Sequence, residues 1–451
     1  MRRLAFLILA AAPATALAQQ PQPAVPSPAQ AAAPVAAQPG LRTLTLDEAV
    51  KTARARHPDI RNANALTEEA KARVDEAKSA LLPQLTARGL YQHTERQNNN
   101  NGVVPIGGGT SITTASDLWQ ASIGVNQLVY DFGQTTGRWH SAEHTAVAQD
   151  ASGLATMRQV VLNVRTFYFA ARADKALVQV ARETLDNQNK HLDQVQAFIQ
   201  VGTHPEIDLA QQKTAVASAR LALIRADNTY RTAKAQLNQA MGTPGRTDFD
   251  VADDSLPPVA GEDGDFDAAL EVAYKARPEL RAFLEQKKAE EEIISSTKGT
   301  YWPSISLSGT ASEAGSALDD LGWSLVGGVN LTWPFYQGGL TKAQVREAEW
   351  AEASIDAQTE SLRQSVRVEV ENALLAVRAA KSEIDAAEEA VVNAREQLRL
   401  AEGRYTTGVG SIIELGDAQV AVTQQAAQKV QADFDLATAR AQLLHALGQD
   451  T

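Results

Sequence analysis

FYQGGLT, residues 335–341, separates two kinds of sequence. Before it, apolar and polar residues alternate with the period of a strand. After it, from Leu340 to Thr407, the chain runs with hardly a helix breaker. YDFGQT, residues 130–135, makes the same switch earlier in the chain. Glycine in both stretches lets the backbone change direction where a side chain would obstruct it.

The alternation is clearest just upstream of the second switch. In SISLSGTAS, Ile305, Leu307, Gly309 and Ala311 fall on one face, opposite Ser304, Ser306, Ser308, Thr310 and Ser312. The returning stretch puts Trp323, Leu325, Val329, Leu331, Trp333 and Phe335 opposite Ser324, Asn330 and Thr332. Trp119, Ala121, Ile123, Val125 and Val129, opposite Gln120, Ser122 and Asn126, repeat the pattern earlier. Strands of this length suit a tilted bilayer crossing. An ordinary half-buried hairpin reads the same way, so the helices must decide.

They do so by length and by seam. Thr135–Gln200, as one helix, is about 100 Å long at 1.5 Å per residue, more than a compact domain of this size holds. Val366, Val370, Ala373, Val377, Ala380, Ile384, Ala387, Val391, Ala394, Leu398, Ala401 and Tyr405 keep 4-3 spacing, the seam of a coiled coil. A looser stripe runs through Leu154, Met157, Val161, Val164, Tyr168 and Ala171, then Val178, Leu185, Leu192 and Ile199.

The chain reads as written twice. Pro58 and Pro278, and Pro83 and Pro303, are 220 positions apart. Tyr130 and Tyr336, Gly133 and Gly339, Gly202 and Gly408, and Gly242 and Gly448 are 206 apart. The Asn- and Gly-rich stretch NNNNGVVPIGGGTSITTAS of the first copy accounts for the difference as a loop insertion. The repeat divides the chain into residues 41–242, a linker at 243–264, and residues 265–448. Strands are expected near 84–95, 118–130, 303–313 and 321–335. Helices are expected at 135–200, 206–241, 340–407 and 412–447, with short ones at 46–56 and 266–276.

Residues 1–18, MRRLAFLILAAAPATALA, have the basic start, short apolar run and small-residue cleavage site of a secretory signal peptide. Residues 19–40 are rich in Pro, Ala and Gln and have little to bury, so they are expected to form a flexible tether. The chain has no cysteine, which excludes a disulfide framework and a thiol-linked lipid. Formal net charge is −12, which disfavours a nucleic-acid surface. No phosphate-binding loop or nucleophile elbow is present, and no cofactor is expected. HSAEH, residues 140–144, has the form of an inverted zinc-peptidase motif. It lies one turn beyond a strand-helix switch, without a third ligand or a cleft, so neither a metal site nor an enzyme is expected.

Four bilayer-length strands cannot close a membrane barrel, since such barrels begin at about eight strands. Several copies must therefore share one. At this point the chain resembles the TolC-like outer-membrane efflux proteins. The resemblance covers residues 41–448 and rests on the repeated strand-strand-helix order, the LVYDFG and PFYQGG junctions, and RYTTGVGSIIELGDAQ, residues 404–419. It implies an α+β membrane protein: a homotrimer whose twelve-stranded barrel, four strands per chain, spans the Gram-negative outer membrane and continues as a coiled-coil helical barrel across the periplasm. The trimer count comes from the resemblance. The strands alone demand only more than one copy.

The resemblance also implies an exit duct for a tripartite efflux or type I secretion system, working with a periplasmic adaptor and an inner-membrane transporter. Tyr130, Gly133, Tyr336, Gly338 and Gly339 would form the turns at the lipid boundary. Gly202 and Gly408 would mark the adaptor-docking tips. Glu414 and Asp417, three apart on one helix side, would ring the periplasmic aperture and draw cations to it. Tyr405 and Asp208 match two members of the family's aperture latch, but Gly410 stands where its arginine is expected. Closure would then use packing and polar contacts near Thr203 and His204. The rival reading is an adhesive or structural coiled-coil protein on a trimeric barrel anchor. It needs one anchor segment, whereas strand pairs recur in both copies here.

Overall fold

A computed structural model describes residues 42–98, 112–202 and 205–449. The expected signal peptide, the tether, residue 41, most of the inserted loop, Thr203 and His204 lie outside the described residues. The elements run β1 (Arg42–Leu44), α1 (Leu46–Arg56), α2 (Pro58–Ser79), β2 (Gln84–Asn98), β3 (Ile112–Tyr130), α3 (Gln134–Gln200) and α4 (Glu206–Ala240). Then follow β4 (Phe249–Val251), α5 (Phe266–Ala276), α6 (Pro278–Gly299), β5 (Ser304–Gly315), β6 (Gly322–Thr332), α7 (Leu340–Thr406) and α8 (Ile412–Ala446).

Helix lengths match between the halves: 11 residues for α1 and α5, 22 for α2 and α6, 67 for α3 and α7, and 35 for α4 and α8. Pro58 and Pro278 each open their helix at its first turn, where a missing N–H costs nothing. Two shorter helices accompany each long one: α2 and α4 lie along α3, and α6 and α8 along α7. Contacts of α3 with α6 and α8 join the halves. Where α3 starts, it crosses α6 without room for a side chain. A Cβ on Gly137 would lie 2.9 Å from Ser296 Cβ, and one on Gly299 would lie 2.8 Å from the Phe132 carbonyl.

The seam along α7 is buried or half-buried at all its positions, with Val366, Val370 and Val377 fully enclosed. On α3 the stripe shifts. Leu154 is exposed while Ala151 is buried, and toward the C-terminal end the buried residues are Gln188, His191 and Val195. Leu185 and Leu192 are only half-buried. An uninterrupted α-helix drifts against a seven-residue repeat, so the buried face moves round it.

β2, β3, β5 and β6 form one antiparallel sheet in that order. The register aligns the apolar positions across strands, pairing Leu85 with Val125, Ile123 with Ala311, and Ala311 with Leu325. The other face is laced by hydroxyl and amide contacts, Ser312 to Ser324 at 2.8 Å and Asn330 to Ser308 at 2.9 Å. A bulge between Leu128 and Tyr130 interrupts the alternation, so Tyr130 rather than Val129 pairs with Ile305. β6 ends at Thr332, short of the expected 335, because Pro334 has no N–H to extend the ladder. Among the described residues only β3 and β5 have strand partners on both sides, and no described helix is long and apolar enough to cross a membrane.

The main core sits at mid-length of the long helices, where β1, β4, α1 and α5 pack on them around Tyr168, Val164, Leu237 and Leu443. The linker expected at 243–264 carries β4, which pairs in parallel with β1. Two cations from each half grip this segment. Lys175 Nζ bonds the Val251 carbonyl at 2.6 Å and the Asp250 carboxylate at 2.7 Å, and Lys234 Nζ bonds the Phe249 carbonyl at 3.1 Å. At the positions 206 residues on, Lys381 and Arg440 both hold Glu262, at 2.8 and 3.0 Å. Burial by itself would raise the Glu262 carboxyl. Hydrogen bonds from Arg440, Lys381 and the Val259 amide instead hold it down at about 2.

Candidate functional sites: junction turns and helical tips

The two strand-helix switches share one backbone. Phe132 and Gly133 have φ of 55° and 89°, and Gly338 and Gly339 have 61° and 89°. Gly133 and Gly339 are the N-cap residues of α3 and α7 and give no side-chain cap. In the first turn Asp131 supplies the missing cap. It is buried, and its Oδ2 accepts from the Thr135 amide at 2.7 Å and from the Thr135 hydroxyl. A carboxylate there also faces the positive end of the helix dipole. Gln337 stands in its place in the second turn, with Oε1 accepting from Thr341 Oγ1 at 3.1 Å.

Aromatic side chains gather at the same level. Phe132 stacks on Trp302 at 5.4 Å and meets Tyr130 at 4.7 Å. Trp333 Nε1 donates to the Tyr301 carbonyl at 3.1 Å. Phe335 and Tyr336 are 84% and 82% exposed in the single chain.

The opposite ends of the long helices form a second site. Gly202 and Gly408 adopt φ of 77° and 74°, and their amides bond the Ile199 and Tyr405 carbonyls at 2.9 and 3.0 Å, ending α3 and α7 in the left-handed conformation. Around them Val195, Ala401, Tyr405, Leu415 and Ala418 make a small core with Phe198 against the Tyr405 ring. Tyr405 and Asp208 are both buried. Burial raises the Tyr405 phenol pKa, and the nearby Asp208 carboxylate adds to the effect. The structure thus brings these two together.

Glu414 and Asp417 are both exposed on the first turns of α8. Glu414 is tied into its own chain: its amide is capped by Ser411 Oγ at 3.2 Å, and its carboxylate meets Arg404 Nε at 3.1 Å. Gly410 packs on the Arg404–Tyr405 backbone, where a Cβ would come within 3.0 Å of Arg404 Cβ. The turn therefore leaves little space for a side chain at position 410.

One layer was not read from the sequence. Gln188 Nε2 donates to Gln419 Oε1 at 2.7 Å, and Gln212 Nε2 donates to Gln188 Oε1 at 2.8 Å, all three side chains being buried. Gln188, Gln212 and Gln419 lie on three different helices that carry many other glutamines, so the layer emerges only from packing. HSAEH is taken up in helix contacts: His144 Nδ1 lies 2.8 Å from Glu285 Oε2 on α6, and His140 is exposed against Trp139. Among the described residues no group of three or more His, Cys, Asp or Glu is placed to hold a metal ion.

Comparison with known proteins gives one family. The profile described as outer membrane efflux protein matches residues 49–243 and 269–449. The outer membrane protein TolC of Escherichia coli is 26% identical over 396 residues, covering 83% of this chain and 76% of that protein. The toluene efflux pump outer membrane protein TtgC of Pseudomonas putida is 26% identical over 420 residues, covering 89% and 83%. The crystal structure of CusC, a transmembrane channel by its description, superposes with a TM-score of 0.78 at 20% identity, over 92% of this chain and 96% of that one.

Proposed function

The chain belongs to the outer membrane efflux protein family, and from that premise we propose that it is the passive exit duct of an export assembly. Three copies pool their sheets into a barrel of twelve strands in the outer membrane, and their helices continue inward as a tunnel through the periplasm.

The observation that carries this reading is a four-stranded sheet whose outer strands, β2 and β6, each lack a neighbour on one side among the described residues, with its apolar positions aligned on a single face. Unpaired strand edges are not tolerated in lipid, so the sheet is completed by further copies. The aromatic residues around Tyr130 and Tyr336 then sit at the lipid boundary.

At the far end, Val201, Ile207, Val409 and Ile413 are exposed apolar residues beside Gly202 and Gly408. They suit docking of a periplasmic adaptor, which couples the duct to an energised inner-membrane transporter of the drug-efflux or type I secretion kind. Glu414 and Asp417 line the aperture, beside the buried Tyr405 and Asp208, and its closure uses packing and polar contacts at the tips. The name of the Pseudomonas putida relative makes small apolar organic compounds the first cargo to try.

The test is the full chain purified in detergent and reconstituted in planar bilayers. A particle of three chains with discrete conductance steps is expected. A monomer that stays in solution without detergent overturns the reading.

A further inference from the structure

The turn between α7 and α8 places one guanidinium against one carboxylate by several independent constraints. The Arg404 carbonyl accepts from the Val409 and Gly410 amides at 3.0 and 2.9 Å, which folds the turn back over the end of α7. Gly410 lies so close to Arg404 that a Cβ would press on it. Ser411 caps the Glu414 amide and fixes the first turn of α8. The neighbouring Tyr405 ring is enclosed in the tip core. Arg404 and Glu414 leave this framework facing each other, with Nε 3.1 Å from Oε1 and side chains 57% and 45% exposed.

We propose that Arg404 sets the cation selectivity of the aperture by neutralising Glu414 within each chain. This rests on the exit-duct reading. An exposed ion pair contributes little to folding, but it decides whether the aperture carries one free carboxylate per chain, on Asp417, or two. Among the described residues Arg404 is the cation of this turn, and Glu414 engages it, which leaves the exposed Asp417 carboxylate uncompensated. With Arg404 in place, multivalent cations meet a half-neutralised ring. Loss of Arg404, or its capture by an acidic partner at the tip, uncovers Glu414.

The experiment measures ion selectivity and block by lanthanum(III), added on the side of the helical tips, for the full chain in planar bilayers. Arg404→Gln is expected to raise the potassium-over-chloride permeability ratio and to tighten lanthanum block about tenfold. Arg404→Lys, which keeps the charge, stays near the unmodified protein. Arg404→Gln combined with Glu414→Gln loses the tightening, which shows that the effect passes through Glu414. Unchanged block in Arg404→Gln, or tight block that survives in the double variant, overturns the inference alone. An unmodified protein that does not conduct overturns the duct reading, and this inference with it.

Discussion

The two halves of the molecule reach the same geometry with different chemistry. At the junction turns the backbone angles agree within a few degrees, yet one half uses Asp131 and Phe132 where the other uses Gln337 and Gly338. At mid-length, Lys175 and Lys234 hold the connecting segment chiefly by its carbonyls, whereas Lys381 and Arg440 hold it by the buried carboxylate of Glu262. What recurs is the path of the chain. Each half then stabilises that path with the partners it has, and the halves differ in what a single substitution should cost.

The sharpest contrast is at the grip on the linker. Glu262 is 3% exposed and bound by two cations. Glu262→Ala takes the carboxylate from the largely buried Arg440, while Lys381 keeps Asp263 at 2.7 Å, and should destabilise the fold by about 3 kcal/mol in denaturant titrations followed by circular dichroism. Lys175→Met, on the more open side, should cost about 1 kcal/mol. Equal losses at the two positions would erase the distinction.

Acid adds a second measure of the same asymmetry. The folded carboxyl of Glu262 titrates at about 2 against an ordinary 4.5, so its contribution is complete above the ordinary value and is lost as pH falls toward 2. Glu262→Gln should flatten the stability profile in that window.

A smaller effect separates the helix starts. Asp131→Ala removes a buried cap and should cost about 1–2 kcal/mol, whereas Gln337→Ala should cost less than about 1 kcal/mol. The smallest net effect belongs to Phe132. Its left-handed backbone costs about 1–2 kcal/mol, offset by stacking on Trp302 and a tilted contact with Tyr130. Phe132→Gly should therefore change stability by less than about 1 kcal/mol, while Gly338→Phe, with no atom within 4 Å of its Cβ, takes the strain without the stacking.

The family was legible in the sequence because its signals are local and periodic. The 4-3 seam from Val366 to Tyr405, the alternation through Ile305 to Ala311 and the glycine switches each lie within one continuous stretch. Contacts between distant residues leave no such trace. β1 and β4 have three residues each and pair across some two hundred positions, too little for either to show a period. The bulge at Val129 and the exposure of Leu154 follow from twist and helical drift, which a strict repeat does not register. At the tips, the resemblance points to Tyr405, Asp208, Glu414 and Asp417, but the pairing of Glu414 with Arg404 depends on how the turn closes over Gly410.

The open sides of β2 and β6 have a consequence for biogenesis. If further copies complete this sheet, as proposed above, membrane entry and self-association become a single event. A copy with a defective β6 would then not fail in isolation. Expressed beside intact copies, it would be built into mixed particles and spoil them, so such an allele should behave as dominant.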